Sequence, residues 1–201
     1  MQTKVILSEE EKITIGNTAF FSVKREIISK IITLFGEIGN NKTLNETWRK
    51  ILVDYDQKTF TPKISKGENY LGLPYLILDF PKKLEDENQF AVRNFFWWGN
   101  YFSTFFILSG KELEMHLPKI LSNYSILNDK NFYISTNTDR WIHTVDNDYY
   151  KEIKTLAIGE FEDIISKTGY LKIASILPLN KYEIAYDYFL KQHMLVQNIL
   201  I

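Results

Sequence analysis

Between Arg93 and Lys111 the chain runs for seventeen residues without a charge, NFFWWGNYFSTFFILSG. A membrane-spanning helix needs about 20 predominantly apolar residues, and this stretch contains Asn94, Gly99, Asn100, Ser103 and Thr104, so it is not read as one. Gly99-Asn100 tolerates positive φ and is a hairpin-turn signal. A turn centred on those two residues pairs Trp98 with Tyr101 and Trp97 with Phe102. Alternation then puts Trp98, Phe96, Asn94 and Val92 with Tyr101, Ser103, Phe105 and Ile107 on one face. Trp97, Phe95, Arg93 and Ala91 go with Phe102, Thr104, Phe106 and Leu108 on the other. Both faces are apolar, so both must be covered, and the hairpin belongs in the middle of a sheet. The aromatic content, 15% of the chain with 14 Phe, 12 Tyr and 4 Trp, is thereby expected to be core.

The flanking segments read as helices before the sheet and mixed elements after it. Phe20, Val23, Ile27, Ile31, Leu34 and Ile38 recur at helical spacing behind a cap at Asn17 or Thr18. A shorter helix carries Leu44, Trp48, Ile51 and Leu52 inward, and residues 17–53 are expected to form a helical hairpin. The prolines and glycines of residues 60–81 forbid a long helix there, and Tyr75–Phe80 reads as a strand stopped by Pro81. Residues 109–123 read as a helix kinked or restarted at Pro118, with an alternating pattern that also fits a strand. Residues 131–136 and 140–145 read as strands, residues 146–157 and 160–169 as helices, YLKIASILPL as a final strand and residues 181–200 as the closing helix. The expected architecture is a single α+β domain over residues 1–201. Its central, mostly antiparallel sheet has about five or six strands, formed within residues 60–145, and helices from both ends cover it. Residues 146–201 add helices and one further strand.

Composition excludes several chemistries. With 24 basic and 25 acidic residues the net charge is −1, which gives no electrostatic reason to expect nucleic acid or an anionic membrane. No cysteine is present, so disulfides and thiolate chemistry are excluded, and a reducing cytoplasm is the expected location. MQTKVILSEEEK has three apolar residues followed by three Glu and is not read as a signal peptide. GENYLGLP opens like a phosphate loop but continues with Leu73 and Pro74 where Lys and Ser or Thr are needed. No other catalytic motif is found, and neither a cofactor nor a metal is expected.

Four places carry candidate chemistry. Asp139 and His143 fall on one side of an extended strand with Asp146 beyond, a set that could orient an imidazole for proton transfer; a strand-end His bonded to a loop carboxylate is the plainer reading. Glu112 and His116, four apart, could share a helix face as two metal ligands or as solvated polar residues. His193 is expected at the surface or at a boundary. Arg93, among aromatic neighbours, needs a partner, either Asp79 in a structural bridge or an anionic ligand gripped by its planar fork.

The patterns KGENYLGLPYLILDF, NFYISTNTD and YLKIASILPL, spread over about residues 64–200, resemble the YktB-like family of small bacterial proteins. The resemblance implies one α+β domain with an antiparallel sheet, and it carries no activity and no functional residue across.

The function expected on these grounds is non-enzymatic binding of a small, anionic ligand or a protein partner, in a pocket beside Arg93, Asn94, Trp97, Trp98 and Asp79. The alternatives are an oligomerising interaction protein, or an enzyme using His143 with Asp139 or Asp146 in acid–base chemistry.

Overall fold

In the computed structural model, which describes residues 5–201, the uncharged stretch folds as a hairpin at the middle of a sheet. The part of the N-terminal reading that falls on residues 1–4 lies outside the described residues. Helices α1 (Glu9–Ile15), α2 (Thr18–Gly39) and α3 (Lys42–Ile51) precede four strands, β1 (Lys63–Tyr70), β2 (Leu73–Glu85), β3 (Asn88–Trp97) and β4 (Tyr101–Ser109). After α4 (Gly110–Ser122) and α5 (Tyr124–Asn128) come β5 (Tyr133–Ser135), β6 (Tyr150–Glu152), α6 (Ile158–Thr168), β7 (Tyr170–Pro178) and α7 (Ala185–Leu200). The fold is α+β, with one antiparallel sheet ordered β1-β2-β3-β4-β7-β5-β6. The chain's last strand slots between β4 and β5. None of the helices among the described residues is long and apolar enough to cross a membrane.

The sheet has seven strands rather than five or six. β1 was not anticipated, because KISKGENY is polar and lies at an edge with most of its side chains in water. Across from its Gly67 sits Tyr75, whose ring lies where a Cβ at Gly67 would fall. β2 runs on past Pro81, since a register shift between Asp79 and Lys82 takes the proline, which has no N–H to give, out of the regular ladder.

The hairpin is there, but its register differs by one residue. Trp97 pairs with Tyr101, and the turn holds three residues, Trp98, Gly99 and Asn100, with Gly99 at φ 73° and Asn100 N–H donating to Trp97 O at 3.1 Å. The single step moves every β4 side chain to the other partner set. Phe90, Val92, Asn94 and Phe96 therefore share a face with Phe102, Thr104, Phe106 and Leu108, under the helices. Ala91, Arg93, Phe95 and Trp97 share the other with Phe105 and Ile107. Both faces are covered, as the two-sided hydrophobicity requires.

The two covers are unlike. On one side Phe35 and Ile38 of α2, Trp48 of α3, Ile120 of α4 and Phe189, Val196 and Leu200 of α7 complete the main core. The expected cap of α2 is in place, with Asn17 Oδ1 accepting from Phe20 N at 3.0 Å, and α3 is capped by Asn41, whose Oδ1 accepts from Leu44 N at 3.0 Å. On the other side the cover is residues 136–149, which contain neither helix nor strand. The expected strand at 140–145 and helix at 146–157 are thus replaced by an irregular loop, then β6 and a 3-10 turn at Ile153–Thr155. Residues 109–123 are helical with Pro118 inside, as expected.

Gly110 joins β4 to α4 at φ 55°, and a Cβ there would fall 2.4 Å from Asn88 Oδ1 and 2.7 Å from Glu87 O. Gly99, at φ 73°, has open space around it. Gly110→Ala is expected to cost about 2–3 kcal/mol in urea unfolding and Gly99→Ala only about 1 kcal/mol.

Candidate functional site

Asp79 and Arg93 are direct cross-strand neighbours on β2 and β3. Arg93 Nε donates to Asp79 Oδ1 at 2.7 Å and Nη2 to Oδ2 at 3.0 Å, a two-pronged bridge with both residues buried. The third nitrogen, Nη1, lies 3.0 Å from His143 Nε2. A guanidinium only donates, so Nε2 is the accepting nitrogen and the imidazole proton sits on Nδ1, where it is given to the Trp141 carbonyl. His143 is buried, stacked on Phe95 with centroids 5.1 Å apart and meeting Phe105 edge-on at 4.9 Å. Burial, then the charges of Lys172 and Arg93, hold its pKa well below the ordinary histidine value. It is a neutral imidazole with both nitrogens occupied.

The same loop is tied to the sheet by side chains that reach its backbone. Tyr101 Oη donates to His143 O at 3.0 Å and accepts from Val145 N at 2.8 Å. Tyr70 Oη accepts from His143 N at 2.7 Å, and Tyr150 Oη donates to Ile142 O at 3.0 Å. Lys172, wholly buried on β7, donates to Arg140 O at 2.9 Å and to Ile142 O, with its nitrogen 4.5 Å from the Phe105 ring centre. Burial and the nearby Arg93 push its pKa well below the lysine range, against the pull of Asp139. Backbone groups that have no strand or helix partner are thus satisfied by tyrosines and a lysine rising from the sheet.

Two further polar clusters lie on the helix side. His193, wholly buried on α7, receives Trp48 Nε1–H on Nδ1 at 3.3 Å, and the Asn94 amide lies 3.0 Å from its Nε2. Burial lowers its pKa to about 3, so the ring is neutral. Since Nδ1 accepts, Nε2 carries the proton, and the amide atom facing it is the carbonyl oxygen, which turns the Asn94 NH2 toward Thr104. His116 and Glu112 do share a helix face, but the face is buried. Tyr55 Oη donates to Glu112 and lies 3.0 Å from His116 Nε2, while Lys83 Nζ donates to Glu112 Oε1 at 2.8 Å. Among the described residues no group of carboxylates and histidines has the arrangement of a metal site.

The expected candidates therefore separate. Arg93 and Asp79 meet each other and His143; Asn94 is on the opposite face with His193; Trp97 is buried over Tyr70; Trp98 borders a groove near α2. Asp139 and Asp146 do not reach His143. Asp139 Oδ1 accepts from Trp141 N at 2.8 Å and Asp146 Oδ1 from Asp148 N and Tyr149 N at 3.1 Å each, both as turn formers at the surface. The Arg93 cluster is buried, and each of the three guanidinium nitrogens already has a partner in it.

The polar concavity lies elsewhere. β5 pairs with β7 only at Ile173 and Ala174, so one edge of β7 is unpaired from Ser175 onward. A cleft of about 460 Å³ opens there, between that edge, residues 130–133 ahead of and within β5, and α7. Lys130, Lys181 and Lys191 line it without a carboxylate among its walls, and none of the three is in an ion pair among the described residues. Tyr188 Oη and Gln192 Oε1, also in the wall, are buried and make no hydrogen bond of proper geometry. Burial raises the Tyr188 pKa, partly offset by Ser175 and Thr104 close by. Sequence reasoning passed over these lysines, because they lie on three segments that only the insertion of β7 brings together.

Compared with protein-family models, curated proteins and solved structures, the chain matches none significantly. None of these comparisons bears on the expected resemblance of residues 64–200 to YktB-like proteins.

The buried groups give stability a defined pH profile. His143, His193 and His116 have folded pKa values below the unfolded one, so the stability they carry is complete above about pH 6.5 and is lost as pH falls toward the folded values. Lys172 acts in the same direction, so stability rises further until the unfolded lysine's pKa near 10.4. The buried tyrosines, with Tyr101 pushed up to about 12, oppose this above about pH 10, where the unfolded chain ionises first. Urea unfolding is expected to show stability still rising above neutral pH to a maximum near about pH 10, with a loss approaching about 1.4 kcal/mol per pH unit per histidine below about pH 6.

Proposed function

We propose that the protein binds a small anionic ligand, bearing carboxylate or phosphate, in the cleft between the free edge of β7 and α7. The observation that carries this reading is a concave site with three lysines and no carboxylate in its walls. In a chain whose acidic residues slightly outnumber its basic ones, such a wall is a local excess of positive charge. Lysines at a surface serve as mobile point charges for phosphate or carboxylate oxygens, and they carry little cost when the ligand is absent. The side chains of Tyr188 and Gln192 also line the cleft. Phe132, Tyr133 and Leu195 supply apolar wall for the body of a ligand. The arrangement suits recognition rather than catalysis. No imidazole or carboxylate faces the cleft to move a proton, and the histidine singled out in the sequence is locked between Arg93 and a carbonyl.

Binding of inorganic pyrophosphate and of citrate, measured by calorimetry and thermal shift, tests this. At low salt one of the two is expected to raise the melting temperature and to bind with an affinity that falls as salt is added. The triple variant Lys130→Gln, Lys181→Gln, Lys191→Gln is expected to weaken binding at least tenfold, since each exposed charge contributes about 0.5–1 kcal/mol. Binding unchanged in that variant, or no binding of either anion to the intact protein, would overturn the reading. No tryptophan lines the cleft, so the fluorescence of the four tryptophans is expected to stay unchanged on binding.

A further inference from the structure

The apolar stripe along α2 outruns the body it packs on. Ile38 is buried and Leu34, Ile31 and Ile27 are half-buried, whereas Val23 is 53% exposed and Phe20 47%. All lie on the helix face that the heptad-like spacing directs inward. The first two turns of α2 thus overhang the sheet with their inward face bare. The stripe continues into a groove of about 570 Å³ formed by Ile27, Ile31, Phe96, Trp98, Phe102 and Tyr182, with Lys30 in its wall.

Ahead of α2 stands an arm whose apolar side chains are exposed. α1 has no buried residue, and its Ile13 and Ile15 are 74% and 71% exposed. Val5, Ile6 and Leu7 before it are exposed as well. A helix of seven residues is too short to hold itself in water. An apolar arm and an apolar groove on one molecule, not joined to each other, form the two halves of a reciprocal contact.

Charge selects the occupant. The arm carries Glu9, Glu10 and Glu11; Glu9 is paired with Lys12, Glu11 caps Ser8, and Glu10 is in no ion pair among the described residues. Lys30, in the groove wall, is in no ion pair among the described residues. An acidic arm opposite a basic groove wall is electrostatically self-complementary between two copies. Three adjacent glutamates disfavour an anionic bilayer as the covering surface.

We propose that the protein is a two-fold homodimer in which the arm of each copy, residues 5–15, seats in the Trp98 groove of the other. Ile13 and Ile15 enter the groove along the overhanging face of α2, and Glu10 meets Lys30. The contact is isologous, so it closes with two copies and leaves no free arm. The groove shares no lining residue with the lysine cleft, although the two are neighbours at one end of the sheet, where Phe102 of the groove pairs with Leu177 of the cleft and Tyr182 follows Lys181.

Sedimentation velocity from about 1 to 100 μM tests it, a range that spans micromolar dissociation constants. The intact protein is expected to be dimeric at the upper end, with Trp98 emission shifted to shorter wavelength as the dimer forms. Ile13→Asp with Ile15→Asp is expected to give a monomer of unchanged circular dichroism, since both side chains are mostly exposed in their own chain. Lys30→Glu and Glu10→Lys are each expected to weaken the dimer about tenfold. An equimolar mixture of those two variants is expected to restore it, because in the mixed pair both arm–groove junctions regain opposite charge. A protein that stays monomeric through the range, or a dimer that persists in the Ile13→Asp, Ile15→Asp variant, would overturn the proposal, as would a mixture no tighter than its components.

Discussion

A guanidinium buried between a carboxylate and a neutral imidazole joins the sheet to the loop that covers it. Arg93 is charged at any ordinary pH and sits on a strand whose neighbours on that face are Ala91, Phe95 and Phe105. Left alone it would cost several kcal/mol. Asp79, directly across the ladder, matches two of its nitrogens, and the third is matched by bringing His143 down from the loop. That one demand orients the imidazole, assigns its tautomer and fixes where residues 136–149 lie.

The rest of the loop-covered face follows from the same requirement. A loop laid over a hydrophobic sheet buries backbone groups that no ladder can satisfy. The sheet answers with Tyr70, Tyr101, Tyr150 and Lys172, side chains whose apolar bodies fill the layer and whose polar tips reach the loop's amides and carbonyls. The abundance of tyrosine therefore has a structural purpose beyond core volume. The opposite face needs no such device, because α2, α3, α4 and α7 bring their own hydrogen bonds with them. Buried polar residues there pair with one another, His193 with Trp48 and Asn94, and Glu112 with Tyr55 and Lys83.

What could be read from the sequence was the element set dictated by local pattern. Periodicity located α2, α3, α6 and α7, and two-sided hydrophobicity placed the hairpin centrally. The Gly99-Asn100 pair suggested a two-residue turn, but Trp98 joins it to make three, a difference that hydrophobicity cannot detect when both faces are apolar. RWIHTV alternates like a strand, yet its partners are side chains, and no local pattern distinguishes the two. Arg93 announced its need for a partner, and Asp79 was foreseen as one. The cleft could not be foreseen, since Lys130, Lys181 and Lys191 meet only because β7 returns to the middle of the sheet while β5 stops after three residues. The exposed half of α2 was hidden for a related reason, as an apolar stripe shows which face would pack and not how far the body extends beneath it.

The junction of sheet and loop requires His143 to be an uncharged ring that accepts from Arg93 and donates through Nδ1. Long-range proton–nitrogen correlation spectra of the imidazole, recorded from neutral pH down to about pH 5, test this most directly. The structure requires a single neutral tautomer with the proton on Nδ1 throughout that range, and the same signal lost in Arg93→Met. A ring that titrates near the ordinary value of about 6.5, or that carries its proton on Nε2, would contradict it.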